Sequence, residues 1–258
     1  MKVRFLVQHL PDGTINPDAA VICEKVREHN WLHQETTPYE ISLVTMEEMR
    51  ATLPAYITDD SCDVPIGSIE FVETFLLRMY GVEGLIPILI PKELQRERYL
   101  GRRIAVVCDH TALREKAREW NREKVFLKSA SQLKCDYTGV YNPANDHLPR
   151  DSAFFLSEPL TMLSEWRIFI WKGKVVGVRN YAGDQWLLPS REMVEEMVRN
   201  YTGAPDAYTL DVAVCQVGED VPHRTVVVEV HRFISCGLYG FEETILPSMC
   251  IRGFRSLF

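Results

Sequence analysis

Residues 165–183, EWRIFIWKGKVVGVRNYAG, constrain the fold of this chain more than any other stretch. Two alternating runs flank Lys172-Gly173, a two-residue signal for a tight turn between adjacent antiparallel strands. Four of the other short runs are of the same kind: RRIAVVC, KVFLKSA, AYTLDVAVCQV and HRTVVVEVHRF. A fifth, AFFLSEPL, is more continuously apolar. Residues after about position 96 are therefore expected to form antiparallel sheet. One amphipathic helix is expected in SREMVEEMVRNYTG, capped by Ser190 and stopped by Gly203.

The first third has a different rhythm. KVRFLVQHL and YEISLVT read as strands, and NPDAAVICEKVREHN as a helix with Ala20, Ile22, Cys23 and Val26 inward. TMEEMRATL is a short helix or turn. In PIGSIEFVETFLLRMYG, Gly67 permits a turn and Ser68 a cap, with Ile69, Val72, Phe75, Leu76 and Met79 on one helical face. Strand and helix alternation of this kind predicts a small α/β unit. The change falls in residues 91–98, giving an N-terminal α/β domain over 1–95 and a second, α+β domain over 96–258. The turn-rich residues 135–152 are expected to form a functional loop.

Composition narrows the function classes. A net charge of −7 lacks the basic footprint of a nucleic-acid binder. Seven cysteines without a C-x-x-C pair favour reduced thiols over a disulfide framework. No run reaches membrane-spanning length and the start does not read as a signal peptide, so a cytoplasmic protein is expected.

Charged residues interrupt the strands. Lys128 ends one, Arg167 and Arg179 sit in the hairpin, Asp211 breaks YTLDVAV, and Glu229 and His231 break VVVEVHRF. Singly, each fits a solvated strand position. Because side chains alternate between faces, Glu229 and His231 project together and Val228 and Val230 are expected opposite. Together the set offers three cations suited to phosphate oxygens and two carboxylates suited to magnesium. No G-x-x-x-x-G-K-[ST] or G-x-G-x-x-G is present, which disfavours the phosphate-loop and dinucleotide solutions.

In their order, Lys128, SEPL, EWRIFIWKGKVVG, LDVAV and VVVEVHRF resemble the ATP-grasp superfamily. They are most similar to the short phage and bacterial clade named for two arginines and a lysine. The resemblance spans residues 101–240 and implies an ATP-grasp fold, two α+β subdomains gripping nucleotide, behind the N-terminal domain. It assigns Lys128 to the phosphates and Glu158 and Leu160 of the hinge to adenine. Arg167 and Arg179 become catalytic, and Asp211 and Glu229 hold magnesium. His231 stands where the family has asparagine; it is carried as a third metal ligand, one that would favour manganese, with a phosphate or acceptor contact as the other reading. Arg102 or Arg103 supplies the charge of a further family lysine, with Arg103 placed at the nucleotide. Tyr239 would help line the cleft.

The resemblance implies an ATP-dependent carboxylate–amine ligase acting through an acylphosphate. Its cofactors would be ATP with magnesium, and peptide or protein ends are acceptors by analogy with phage relatives. A kinase acting on a hydroxyl acceptor, or a nucleotide-binding module without turnover, are the other readings.

Overall fold

The computed structural model describes residues 2–51, 61–133, 137–216 and 223–258. Strands β1 (Lys2–Gln8), β2 (Glu40–Val44) and β3 (Ser61–Ile66) form a parallel sheet in the order β2-β1-β3. Three helices accompany it: α1 (Pro17–Leu32), α2 (Met46–Ala51) and α3 (Ile69–Tyr80). The predicted cap of α3 is present, since Ser68 Oγ accepts from Phe71 N at 3.2 Å and Gly81 closes the helix at φ +66°. Phe71, Val72, Phe75 and Leu76 are its buried residues. In α1 the buried set is Ala19, Ile22, Cys23 and Val26, so Ala19 takes the place expected of Ala20.

Short helix α4 (Glu97–Leu100) leads into two antiparallel sheets. The smaller runs β4-β7-β5-β6, from β4 (Ile104–Val107), β5 (Val125–Ser129), β6 (Gly139–Tyr141) and β7 (Phe154–Ser157). Helix α5 (His110–Glu119), which the strand-centred reading missed, covers it with Leu113 and Ala117. The larger runs β11-β10-β8-β9, from β8 (Met162–Trp171), β9 (Lys174–Gly183), β10 (Ala207–Cys215) and β11 (Arg224–Arg232). The β8–β9 hairpin turns on Lys172 at φ +48° and Gly173 at φ +71°, the two positive φ values of the tightest hairpin connection.

The two faces of the larger sheet do different work. Trp166, Ile168, Ile170, Leu210, Val212 and Val230 face α6 (Arg191–Asn200), which buries Val194, Met197 and Val198 against them. Phe169 lies on the other face, under residues 233–241, and stacks on Phe241 with ring centres 4.1 Å apart. Gly177 permits this approach, since a Cβ there would stand 2.5 Å from Phe241. Phe169, Phe233 and Phe241 join the core of the N-terminal sheet, as does a last helix, α7 (Leu246–Arg255). That helix was also unforeseen, and it packs on α1 and β3.

A bulge between Asp211 and Val212 shifts the β10–β11 register, so Glu229 pairs with Asp211 while Val212 pairs with Val227. Val228 is the extra residue. It packs with Leu160 against Ala213, Cys215 and Val226, not opposite Glu229 with Val230 as strict alternation predicted. No helix among the described residues is long and apolar enough to cross a membrane.

Candidate functional site

Register places four of the interrupting charges in one row across the larger sheet. Glu229 of β11 pairs with Asp211 of β10, Asp211 with Arg167 of β8, and Arg167 with Arg179 of β9. Directly opposed residues share a face, so strand pairing converts scattered charges into a line.

Asp211 and Arg167 are both buried, with side chains 1% and 8% exposed. The guanidinium donates through Nε to Oδ1 at 2.9 Å and through Nη2 to Oδ2 at 2.7 Å. This two-point match is what makes burial of both charges tolerable. The third donor, Nη1, reaches the carbonyl of Gly237 at 3.1 Å, and the rings of Tyr239 and Tyr181 flank the cation at 5.1 and 5.9 Å. Arg179 likewise donates to the carbonyl of Gly240 at 3.1 Å. Both arginines thereby tie residues 233–241 down across the sheet.

Lys128, at the end of β5, lies 101 residues from Glu229 in the chain yet donates to Glu229 Oε2 at 2.7 Å. The other oxygen, Oε1, is 2.6 Å from His231 Nε2, which is 3.9 Å from Asp211 Oδ2. Burial alone would raise the Glu229 carboxyl, but the His231 hydrogen bond and the nearby Lys128 charge hold it well below the usual carboxylate range. It stays ionised. One ligand atom each from Asp211, Glu229 and His231 lies within 4.8 Å of the others. Two carboxylates and an imidazole that converge in this way fit a divalent cation with some preference for oxygen ligands.

Leu160, at the junction of the two sheets, packs half-buried with Val228 against the buried cluster Ala213, Cys215 and Val226. Glu158 and Arg103 are occupied with each other. Glu158 accepts from Arg103 N at 2.9 Å and from Arg103 Nη2 and Arg122 Nε at 2.8 Å. The Arg103 hydrogen bond, supported by Arg122, lowers the Glu158 carboxyl to about 2. These side chains clasp the start of β4 to the end of β7. Arg102 donates to the carbonyls of Val227 at 2.7 Å and Val228 at 3.4 Å, holding the bulge that sets Glu229. Burial brings its guanidinium down to about 10.

Tyr181 was not among the expected site residues. It stacks on Tyr239 at 5.2 Å and donates to Glu165 Oε2 at 3.1 Å. Its position two residues after Arg179, on the same face of one strand, was the available signal. Of the 135–152 loop, residues 135 and 136 lie outside the described residues. Asp151 accepts from Ser129 at 2.5 Å and from Ser131 and Tyr137, fixing the turn that follows Lys128.

The family defined as ATP-grasp domain, R2K clade family 2, matches residues 99–246, more than half of the chain. No curated protein sequence matches. Among solved structures, the D-cycloserine synthetase DcsG aligns with TM-score 0.56 at 12% identity, covering 99% of each chain. D-alanine–D-alanine ligase from Bacillus anthracis, complexed with ATP, aligns with TM-score 0.54 at 14% identity, covering 99% of this chain and 98% of that one. The ATP-grasp ligase PsnB, complexed with a phosphomimetic variant of its minimal precursor, Mg and ADP, gives the same values. At these identities the likeness is one of fold.

Proposed function

As the chain belongs to family 2 of the R2K clade of ATP-grasp domains, we propose that it is an ATP-dependent carboxylate–amine ligase. The observation that carries this reading is the row Glu229, Asp211, Arg167 and Arg179 on one sheet, with Lys128 reaching it from the other. In that arrangement cations for phosphate and carboxylates for magnesium meet in one cleft, between sheets able to exclude water.

Each residue then has a role. Lys128 binds phosphate oxygens, and as it turns to them it frees Glu229. Asp211 and Glu229 hold magnesium, with His231 keeping Glu229 ionised and oriented. Leu160 and Val228, half-buried over Ala213 and Val226, take the adenine. Arg179, the less buried of the two arginines, orients the carboxylate substrate, while Arg167 fixes Asp211. Magnesium ATP supplies the phosphoryl group that activates the carboxylate. The carboxylate oxygen bonds to the terminal phosphorus as ADP leaves; the amine nitrogen then bonds to the acyl carbon, and phosphate and a proton leave. Residues 1–95 form the acceptor side of the cleft. The two sheets grip the nucleotide as one α+β unit over 96–258.

Among the solved structures of this fold, the ligase PsnB is complexed with a minimal precursor and the macrocyclase MdnC is bound with the precursor peptide MdnA. A peptide end is therefore the first acceptor class to try. Incubation with ATP, magnesium and paired carboxylates and amines should release ADP and phosphate only when both acceptors are present, with an amide product by mass spectrometry. A phosphorylated acceptor would make the protein a kinase instead, and tight ATP binding without product a nucleotide-binding module.

A further inference from the structure

A cavity of about 700 Å³ lies outside the carboxyl ends of β1 and β3, separated from the charged row by residues 234–237. There the chain leaves β1 towards β2 on one side and β3 lies on the other, the switch point at which open parallel sheets bind ligands. A volume of this size suits a small molecule or a short peptide segment.

Its walls are chemically one-sided. Ile22, Val64, Ile66, Ile69, Phe233 and Phe254 give it an apolar interior. Cys236 and Cys250 also line it, and burial pushes the Cys236 thiol up to about 12 and Cys250 higher still, so both are neutral. Asp18 is its one carboxylate, and no lysine or arginine is among the described lining residues. Its one imidazole is His9, so a carboxylate ligand would meet no lysine or arginine there, whereas an ammonium would meet Asp18.

Asp18 also stands next to the reaction row. The peptide unit between Gly237 and Leu238 links them: its N–H donates to Asp18 Oδ2 at 3.0 Å, and its carbonyl accepts from Arg167 at 3.1 Å. A second, smaller cavity of about 120 Å³ shares the wall Ile69, Ile234, Ser235, Cys236 and Gly237 and is lined by Arg167 and His231.

We propose that the 700 Å³ cavity holds the amine partner of the ligation, a primary amine with an aliphatic or aromatic body, whose ammonium is met by Asp18 beside the Gly237–Leu238 peptide. This assignment rests on the ligase reading. It excludes the carboxylate partner from the cavity and leaves that partner to the arginines.

Binding tests it without turnover. Isopentylamine and phenethylamine are titrated calorimetrically into the full chain, without ATP, beside 4-methylpentanoate. The amines should bind about tenfold or more tighter than the carboxylate. Asp18→Asn keeps an oxygen for Leu238 N–H but removes the charge, and should abolish that preference. Leu10→Trp, at an exposed rim position, and Ile15→Trp should each weaken amine binding about tenfold by filling the cavity. Equal affinity for amine and carboxylate, no amine binding, or full binding in both tryptophan variants overturns the proposal. Amine binding without any amide product would count against the ligase reading alone. Amide formation unaffected by the tryptophans would count against this cavity alone.

Discussion

Replacing Arg167 with methionine isolates the energetic role of the buried pair. The Asp211 carboxylate, 1% exposed, would lose both hydrogen bonds from the guanidinium at 2.9 and 2.7 Å. Breaking a buried pair from one side costs about 3–5 kcal/mol, because the surviving charge is left uncompensated. In a chain of 258 residues each kcal/mol moves the melting temperature by roughly 2 °C, so Arg167→Met should melt about 6–10 °C lower. Adding Asp211→Val removes the stranded charge, and the double variant should recover most of the loss, since replacing both partners is close to neutral. Scanning calorimetry without nucleotide reads all three proteins. A single variant within about 2 °C of wild type, or a double variant that melts at the sum of the two single losses, would refute the argument.

Three further outcomes follow from the same geometry. Lys128→Ala should weaken ATP binding about tenfold or more while costing under about 1 kcal/mol of stability, because its pair with Glu229 is part-exposed; unchanged affinity by calorimetry would reduce Lys128 to a strand-end charge. His231→Asn should raise the Glu229 carboxyl and shift metal preference from manganese towards magnesium, measured as the ratio of ATP affinities with each ion; an unchanged ratio removes His231 from the metal. The Glu158 carboxyl falls from its ordinary 4.5 to about 2, so the folded state binds its proton less tightly than the unfolded chain. Its stabilisation, about 2 kcal/mol after screening of the half-exposed arginines, is present above pH 4.5 and is lost as pH falls towards 2. Urea midpoints of wild type and Glu158→Gln should therefore differ at pH 6 and converge near pH 2; a constant gap contradicts the clasp.

Much of the site could be read from single strands, because a charge inside an alternating run is a local signal. Asp211, Glu229 and Arg167 needed no tertiary information to attract attention. Their alignment in one row did need it, since the register between β8, β10 and β11 is fixed by packing across strands far apart in sequence. The bulge that moves Val228 out of alternation is likewise set by its partner strand and by Arg102. Two helices were hidden for physical reasons. Helix α5 buries only Leu113 and Ala117, too few apolar positions for a clear period. Helix α7 contains Gly253, a weak helix former, yet a Cβ there would come within 2.4 Å of the Phe233 carbonyl. Packing demands the residue that propensity argues against. Arg103 and Glu158 show what a local signal leaves open: opposite charges near a hinge suit a nucleotide, and here they also pair with each other.

The central claim is that the carboxylates of the row hold a divalent cation on the nucleotide. Calorimetric titration of ATP into wild type and Glu229→Gln, each with magnesium and with a chelator, tests it most directly. Wild type should bind ATP about tenfold or more tighter with magnesium, and Glu229→Gln should lose most of that difference while remaining folded. Equal ATP affinity in wild type with and without magnesium, or a magnesium effect that survives intact in Glu229→Gln, would contradict the account.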